Sequence, residues 1–125
     1  MRAGGRDVVL VEPVPLPLRP NPNFDPLVCL SSATVVESCR YTANPIPTQL
    51  ERLYRRIAQR DPKVRSLDLD RNVCPLLPTC DPMIGGVIVK YDKQHVTNAF
   101  ALTLAPFVDT YLKSVGFIPE TLPNK

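Results

Sequence analysis

The residues best placed for chemistry are Asp92 and His95, in the run Tyr91-Asp-Lys-Gln-His-Val-Thr97, and His95 is the only histidine in the chain. They stand three apart, just after a predicted strand and just before a predicted helix. That spacing lets both side chains meet above the end of a sheet. A carboxylate there can accept the Nδ1–H of the imidazole, fix its tautomer and leave Nε2 facing outward as a general base. Imidazole suits this role because, as a class, it exchanges protons near neutral pH. The motif alone is short enough to arise by chance, and a surface histidine beside a helix start is the plain alternative.

Cys29, Cys39, Cys74 and Cys80 form two locally spaced pairs. Neither has the CxxC spacing of a structural zinc site, and one histidine cannot complete such a site, so no metal or cofactor is expected. Three disulfide connectivities are possible. The local one, Cys29–Cys39 with Cys74–Cys80, closes two short loops and is the simplest. An even count placed in loops fits an oxidising, extracytoplasmic compartment, against four reduced thiols in a cytosolic protein. No apolar run approaches the roughly 20 residues that span a bilayer. Val8–Val11 is too short, and too soon followed by Pro13, for a signal peptide. That conflict with the cysteines suggests that something upstream has been lost.

A net charge of +3 gives little steering toward nucleic acid. The basic residues Arg52, Arg55, Arg56 and Arg60 share one predicted helix and are expected to be a solvated face, so no nucleic-acid partner is expected. Proline accounts for 15 of 125 residues, many of them in Pro13–Pro26 and Pro75–Pro82, which are expected to be ordered loops.

The elements that must carry Asp92 and His95 read as follows. Asp7–Val11 is a short β-branched run expected to be a fully buried parallel strand. Leu27–Tyr41 is ambiguous, with room for a short helical turn. Thr48 is positioned to cap a helix reaching Arg60, with Leu50, Leu53, Tyr54 and Ile57 on one face. Asp61-Pro62 ends it. Val64–Leu69 is a second strand, and strand–helix–strand order implies parallel pairing. Gly85-Gly86 leads into a third, Val87–Val89. A last helix is expected from near Thr97 to Val115, with Phe100, Leu104, Phe107, Val108, Tyr111 and Leu112 inward, a kink at Pro106 and a stop at Gly116. The fold class is α/β, one domain over residues 1–125.

In this order the features resemble the SGNH hydrolase-like domain often fused behind a membrane acyltransferase in bacteria. Arg6–Val11 with Pro13 and Pro15 is similar to that family's mid-domain strand and proline turn. Asp25-Pro-Leu-Val-Cys29-Leu30, with Cys39 downstream, is similar to its cysteine-bearing segment. Val64–Leu69, then Asn72-Val-Cys74-Pro75 and Cys80, resembles its next strand and disulfide loop. The most specific block is the last: Gly86, Val89-Lys-Tyr-Asp92 and His95-Val-Thr97. The resemblance covers about residues 6–118.

The resemblance implies a partial three-layer α/β/α sandwich with a parallel, flavodoxin-like sheet whose N-terminal portion is missing. It implies His95 as general base and Asp92 as its orienting carboxylate, in O-acyl transfer or ester hydrolysis on a cell-envelope glycan. The expected partners are an acyl-ester or glycan substrate, a membrane acyltransferase domain and an N-terminal half-domain. Val96 stands where the family usually has leucine. The larger departure is that the Gly-Asp-Ser block carrying the nucleophile has no counterpart. Ser31, Ser32, Ser38, Ser66 and Ser114 all lack that context, and the glycine and asparagine blocks that supply oxyanion donors are also missing. A disulfide-stabilised interaction module without catalysis is the alternative.

Overall fold

The structure, a computed structural model, describes residues 6–119. Its centre is a parallel pair, β1 (Val8–Val11) and β4 (Val64–Leu67), in register from Val8↔Val64 to Val11↔Leu67. Between them the chain forms β2 (Pro17–Arg19), α1 (Pro26–Ser32), a 3-10 turn (Val36–Cys39), β3 (Tyr41–Ala43) and α2 (Gln49–Arg60). After β4 come α3 (Asp70–Val73), β5 (Thr79–Cys80), β6 (Met83–Ile84), β7 (Val87–Ile88), α4 (Asn98–Thr103) and α5 (Ala105–Ser114). The strands β2, β3 and β5 make an antiparallel sheet, while β6 and β7 make a separate hairpin.

Local chemistry explains most element ends. At the start of α2, Thr48 accepts from the Glu51 amide while the Glu51 carboxylate accepts from the Thr48 amide, a reciprocal cap that satisfies two otherwise orphaned donors. In α1 the carboxylate of Asp25 accepts from the Leu27 and Val28 amides, with Pro26 at the first helical position. The β6–β7 turn needs two residues at positive φ, and Gly85 and Gly86 supply them at +58° and +78°.

Several expectations are corrected. Val87–Val89 does not join the parallel pair; its first two residues fold back antiparallel on β6, because the diglycine turn reverses the chain at once. The C-terminal helix breaks rather than kinks. Pro106 lacks an amide donor and its ring crowds the preceding turn, so α4 ends at Thr103 and α5 begins at Ala105. Phe107 is consequently exposed, not inward. The run β1 is only half-buried, since β4 covers one edge and no described strand covers the other. The described residues therefore make an α/β fold with a two-stranded parallel sheet, and do not by themselves complete a three-layer sandwich.

Two small cores result. One gathers Leu67, Leu69, Val73, Val89 and Phe100, with Val96, Val108 and Tyr111 against it. The other gathers Tyr41, Ala43, Cys74 and Cys80. Disulfides join Cys29 to Cys39 and Cys74 to Cys80, with Cα separations of 5.8 and 4.8 Å, inside the usual range.

The face that α2 turns to the sheet is not its apolar one. Glu51 is buried there, while Leu50, Leu53 and Ile57 are 44, 42 and 38% exposed. Arg55 is not a free solvated cation. It grips the carboxylate of Glu12, just beyond β1, through Nη2 at 2.7 Å and Nε at 3.0 Å, and Ser66 of β4 donates to the same carboxylate at 2.7 Å. Glu12 is only 3% exposed. Burial raises its pKa, and the Arg55 and Ser66 hydrogen bonds outweigh that and leave it below the ordinary value.

Arg55→Ala should therefore destabilise the chain by about 2–4 kcal/mol in urea unfolding, because it strands a buried carboxylate. Arg56→Ala, on the exposed side of the same helix, should stay within about 0.5 kcal/mol. Equal effects of the two would contradict this assignment.

Candidate functional site

The site is a tight turn closed at its neck by backbone. Lys90 and Val96 form an antiparallel bridge, and the Tyr91 amide donates to the His95 carbonyl at 3.0 Å. Inside the turn one oxygen of Asp92 accepts from the Gln94 and His95 amides, both at 2.7 Å. The other lies 2.8 Å from His95 Nδ1. An ionised carboxylate can only accept, so this contact assigns the Nδ1 proton and leaves Nε2 free of it in the neutral ring. The imidazole is stacked on Tyr91, with ring centroids 5.4 Å apart at 14°, and the side chain is 57% exposed. Asp92 is held below the ordinary carboxyl pKa, first by the Gln94 amide and then, against some desolvation, by the His95 ring and amide.

Thr97 follows directly and caps α4: its hydroxyl accepts from the Phe100 amide at 3.0 Å and donates to the Ile88 carbonyl at 2.6 Å. The turn is thus fixed to β7 on one side and to α4 on the other. It is also tied to the segment that leaves β1. The buried ammonium of Lys90 donates to the Pro15 carbonyl, and Lys93 Nζ donates to Asn23 Oδ1 at 3.0 Å. Asp92 and His95 therefore lie with the loops beyond the C-terminal end of the parallel pair, where open α/β sheets collect their ligands.

Beside the turn lies a cavity of about 410 Å³ lined by Pro15, Asn23, Asn44, Thr48, Asp70 and Lys93, among others. One carboxylate oxygen of Asp70 is buried there without a hydrogen-bond partner. Its pKa is pushed up to about 6, by burial first and then by the negative charges of Asp68, Glu51 and Glu12.

The turn brings together the two residues singled out in the sequence, Asp92 and His95. Among the described residues no serine hydrogen-bonds to either of them. Ser31, Ser38 and Ser114 donate back into their own turns, and Ser66 is committed to Glu12. Lys90, Tyr91 and Lys93 are contributors that reading the motif alone missed. The one available signal for Lys90 was a lysine lodged between Val89 and Tyr91 in an otherwise apolar run. Among the described residues no group of His, Cys, Asp and Glu is arranged to hold a metal ion.

A parallel strand pair with an Asp–His turn at its C-terminal end belongs to the repertoire of α/β hydrolytic and acyl-transfer domains. The family model described as "SGNH domain (fused to AT3 domains)" matches residues 1–110, and the chain belongs to that family. It is a domain of hydrolase or acyltransferase type. No curated protein and no solved structure matches it.

The lone Asp70 oxygen generates a prediction. An aspartate that ionises at about 6 when folded, against 3.8 ordinarily, keeps a proton that the unfolded chain has already lost. Its favourable contribution is full below 3.8 and gone by about pH 6. Asp70→Asn should therefore raise stability at pH 7, by about 1 kcal/mol after solvent screening. The gain should vanish as pH falls toward 3.8, read by unfolding at a series of pH values.

Proposed function

We propose that residues 1–125 hold the C-terminal, Asp–His-bearing part of an SGNH-type O-acyltransferase or esterase domain that acts on cell-envelope glycan esters outside the membrane. In this reading His95 is the general base and Asp92 orients it. The observation that carries the reading is the Nδ1-to-carboxylate contact of 2.8 Å on a histidine whose side chain is 57% exposed.

The nucleophilic serine and the oxyanion donors come from a further segment bearing the Gly-Asp-Ser block. That segment adds strands along the free edge of β1, completes a three-layer sandwich and covers the exposed Leu50, Leu53 and Ile57 of α2. The family's fusion to AT3 domains supports a membrane acyltransferase domain as partner. Two disulfides support an extracytoplasmic location. No described helix is long and apolar enough to cross a membrane.

The second reading is a disulfide-stabilised interaction module without catalysis. It is favoured by the commitment of Ser66 to Glu12, and of Ser31, Ser38 and Ser114 to their own turns.

The chain alone should show no ester hydrolysis that depends on His95. An imidazole without nucleophile or oxyanion donors can activate only water, and losing a single donor already costs an enzyme about 10²–10³ in rate. Mixing the chain with a serine-bearing N-terminal half of an SGNH domain should restore turnover, and His95→Ala should abolish it. Turnover by the isolated chain would reveal a nucleophile within it. Activity of the mixture that is indifferent to His95→Ala would favour the non-catalytic module.

A further inference from the structure

We propose that Lys90 is the positioning residue of the Asp92–His95 turn, its ammonium holding the Lys93 carbonyl inside the turn and the Pro15 carbonyl beyond β1. The inference rests on the reading of His95 and Asp92 as an acid–base pair, and adds a residue to it. Lys90 is 1% exposed, and a buried ammonium is tolerated only when it is well satisfied. It has three donors to place. One goes to Pro15, one to Lys93 O at 3.2 Å, and the charge lies 5.1 Å from the centroid of the Tyr41 ring.

These partners belong to three parts of the molecule. Pro15 follows β1, Tyr41 is in the second core, and Lys93 lies between Asp92 and His95. The backbone of Lys90 bridges Val96, directly after the histidine, so the same residue closes the turn at its neck and grips it at its tip. Burial pulls the ammonium down to about 8, opposed by Asp92 and Asp70, so it remains largely cationic at neutral pH. Lys90 touches no reacting atom. Its effect runs through the place and tautomer of the imidazole.

Because the chain has one histidine, ring-nitrogen NMR of the 125-residue protein reports His95 alone. At about pH 7.5, where an ordinary imidazole is neutral, the native chain should show the Nδ1–H tautomer with Nε2 unprotonated. Lys90→Met matches the length without the donors and should lose that signal, leaving the tautomer mixture of a free imidazole. Lys90→Arg, which keeps the charge and donors, should retain it. Val73→Ala removes core volume and should lower the melting temperature without changing the tautomer. A native chain without the Nδ1–H form would sink the acid–base pair itself. A folded Lys90→Met that keeps the form would leave that pair intact and overturn the positioning role. Should Lys90→Met fail to fold, the ammonium protons of Lys90 in the native chain decide: slow exchange supports the inference, and exchange as fast as a surface lysine overturns it.

Discussion

The parallel pair depends on a carboxylate held where water cannot reach it. Glu12 closes the β1 ladder with its amide on the Leu67 carbonyl at 2.9 Å, and its side chain binds Ser66 of β4 and Arg55 of α2. One residue thereby fixes register, strand spacing and the seat of the helix. A buried ion pair seldom adds net stability over an apolar isostere, but it punishes any arrangement that breaks it. In a sheet two strands wide, whose apolar contacts are few, that penalty supplies specificity that packing cannot. Arg55 also approaches Glu51 at 3.6 Å and Asp68 at 3.5 Å, so the guanidinium neutralises a local excess of acid at the top of the pair.

Lys90 applies the same device with the opposite sign some way along the chain. Glu12 ties strand to strand and helix. Lys90 ties the Asp92–His95 turn to the loop after β1 and to Tyr41 in the second core. The two cores are separate clusters of buried side chains, and polar ties between them do part of what a continuous core does in a larger domain. Both disulfides belong to this pattern. Cys39, Cys74 and Cys80 are fully buried; the Cys29–Cys39 bridge ties α1 to the 3-10 turn, and Cys74–Cys80 closes the loop that holds Pro75 and Pro78.

What was legible in the sequence follows from this. Strand β1 is a continuous apolar run, β4 carries Val64 and Leu67 at its ends, α2 shows a cap and a proline stop, and Gly116 at φ +77° ends the last helix as expected. The Asp92–His95 turn was legible because its geometry is local, set by three residues and two caps. The sheet of β2, β3 and β5 was not. Its strands are two or three residues long, one begins with proline, and their pairing is made entirely by partners distant in sequence. The short helix α3 escaped because its four residues are too few to show a helical period. Charge was the most misleading signal. Arg55, Glu12 and Lys90 look like surface residues by type, and only the fold reveals that each has a buried partner or is itself buried.

The apolar flank of α2 shows how far local pattern can be trusted. Leu50, Leu53 and Ile57 recur at helical spacing, and such a stripe ordinarily marks the face packed on a sheet. Here the sheet takes the adjacent arc, where Glu51 is buried and Arg55 meets Glu12, and the stripe is left as a flank. Leu50 lines a depression with Pro13, Val14 and Gln94, which puts that flank on the side of the loop leaving β1 and of the His95 turn. On the proposed reading, the flank is the face that a further segment of the domain covers. The edge of β1 away from β4 is unpaired among the described residues, and on the same reading it takes another strand. Apolar flank and strand edge are independent features, one of side chains and one of main chain, and among the described residues neither has a partner.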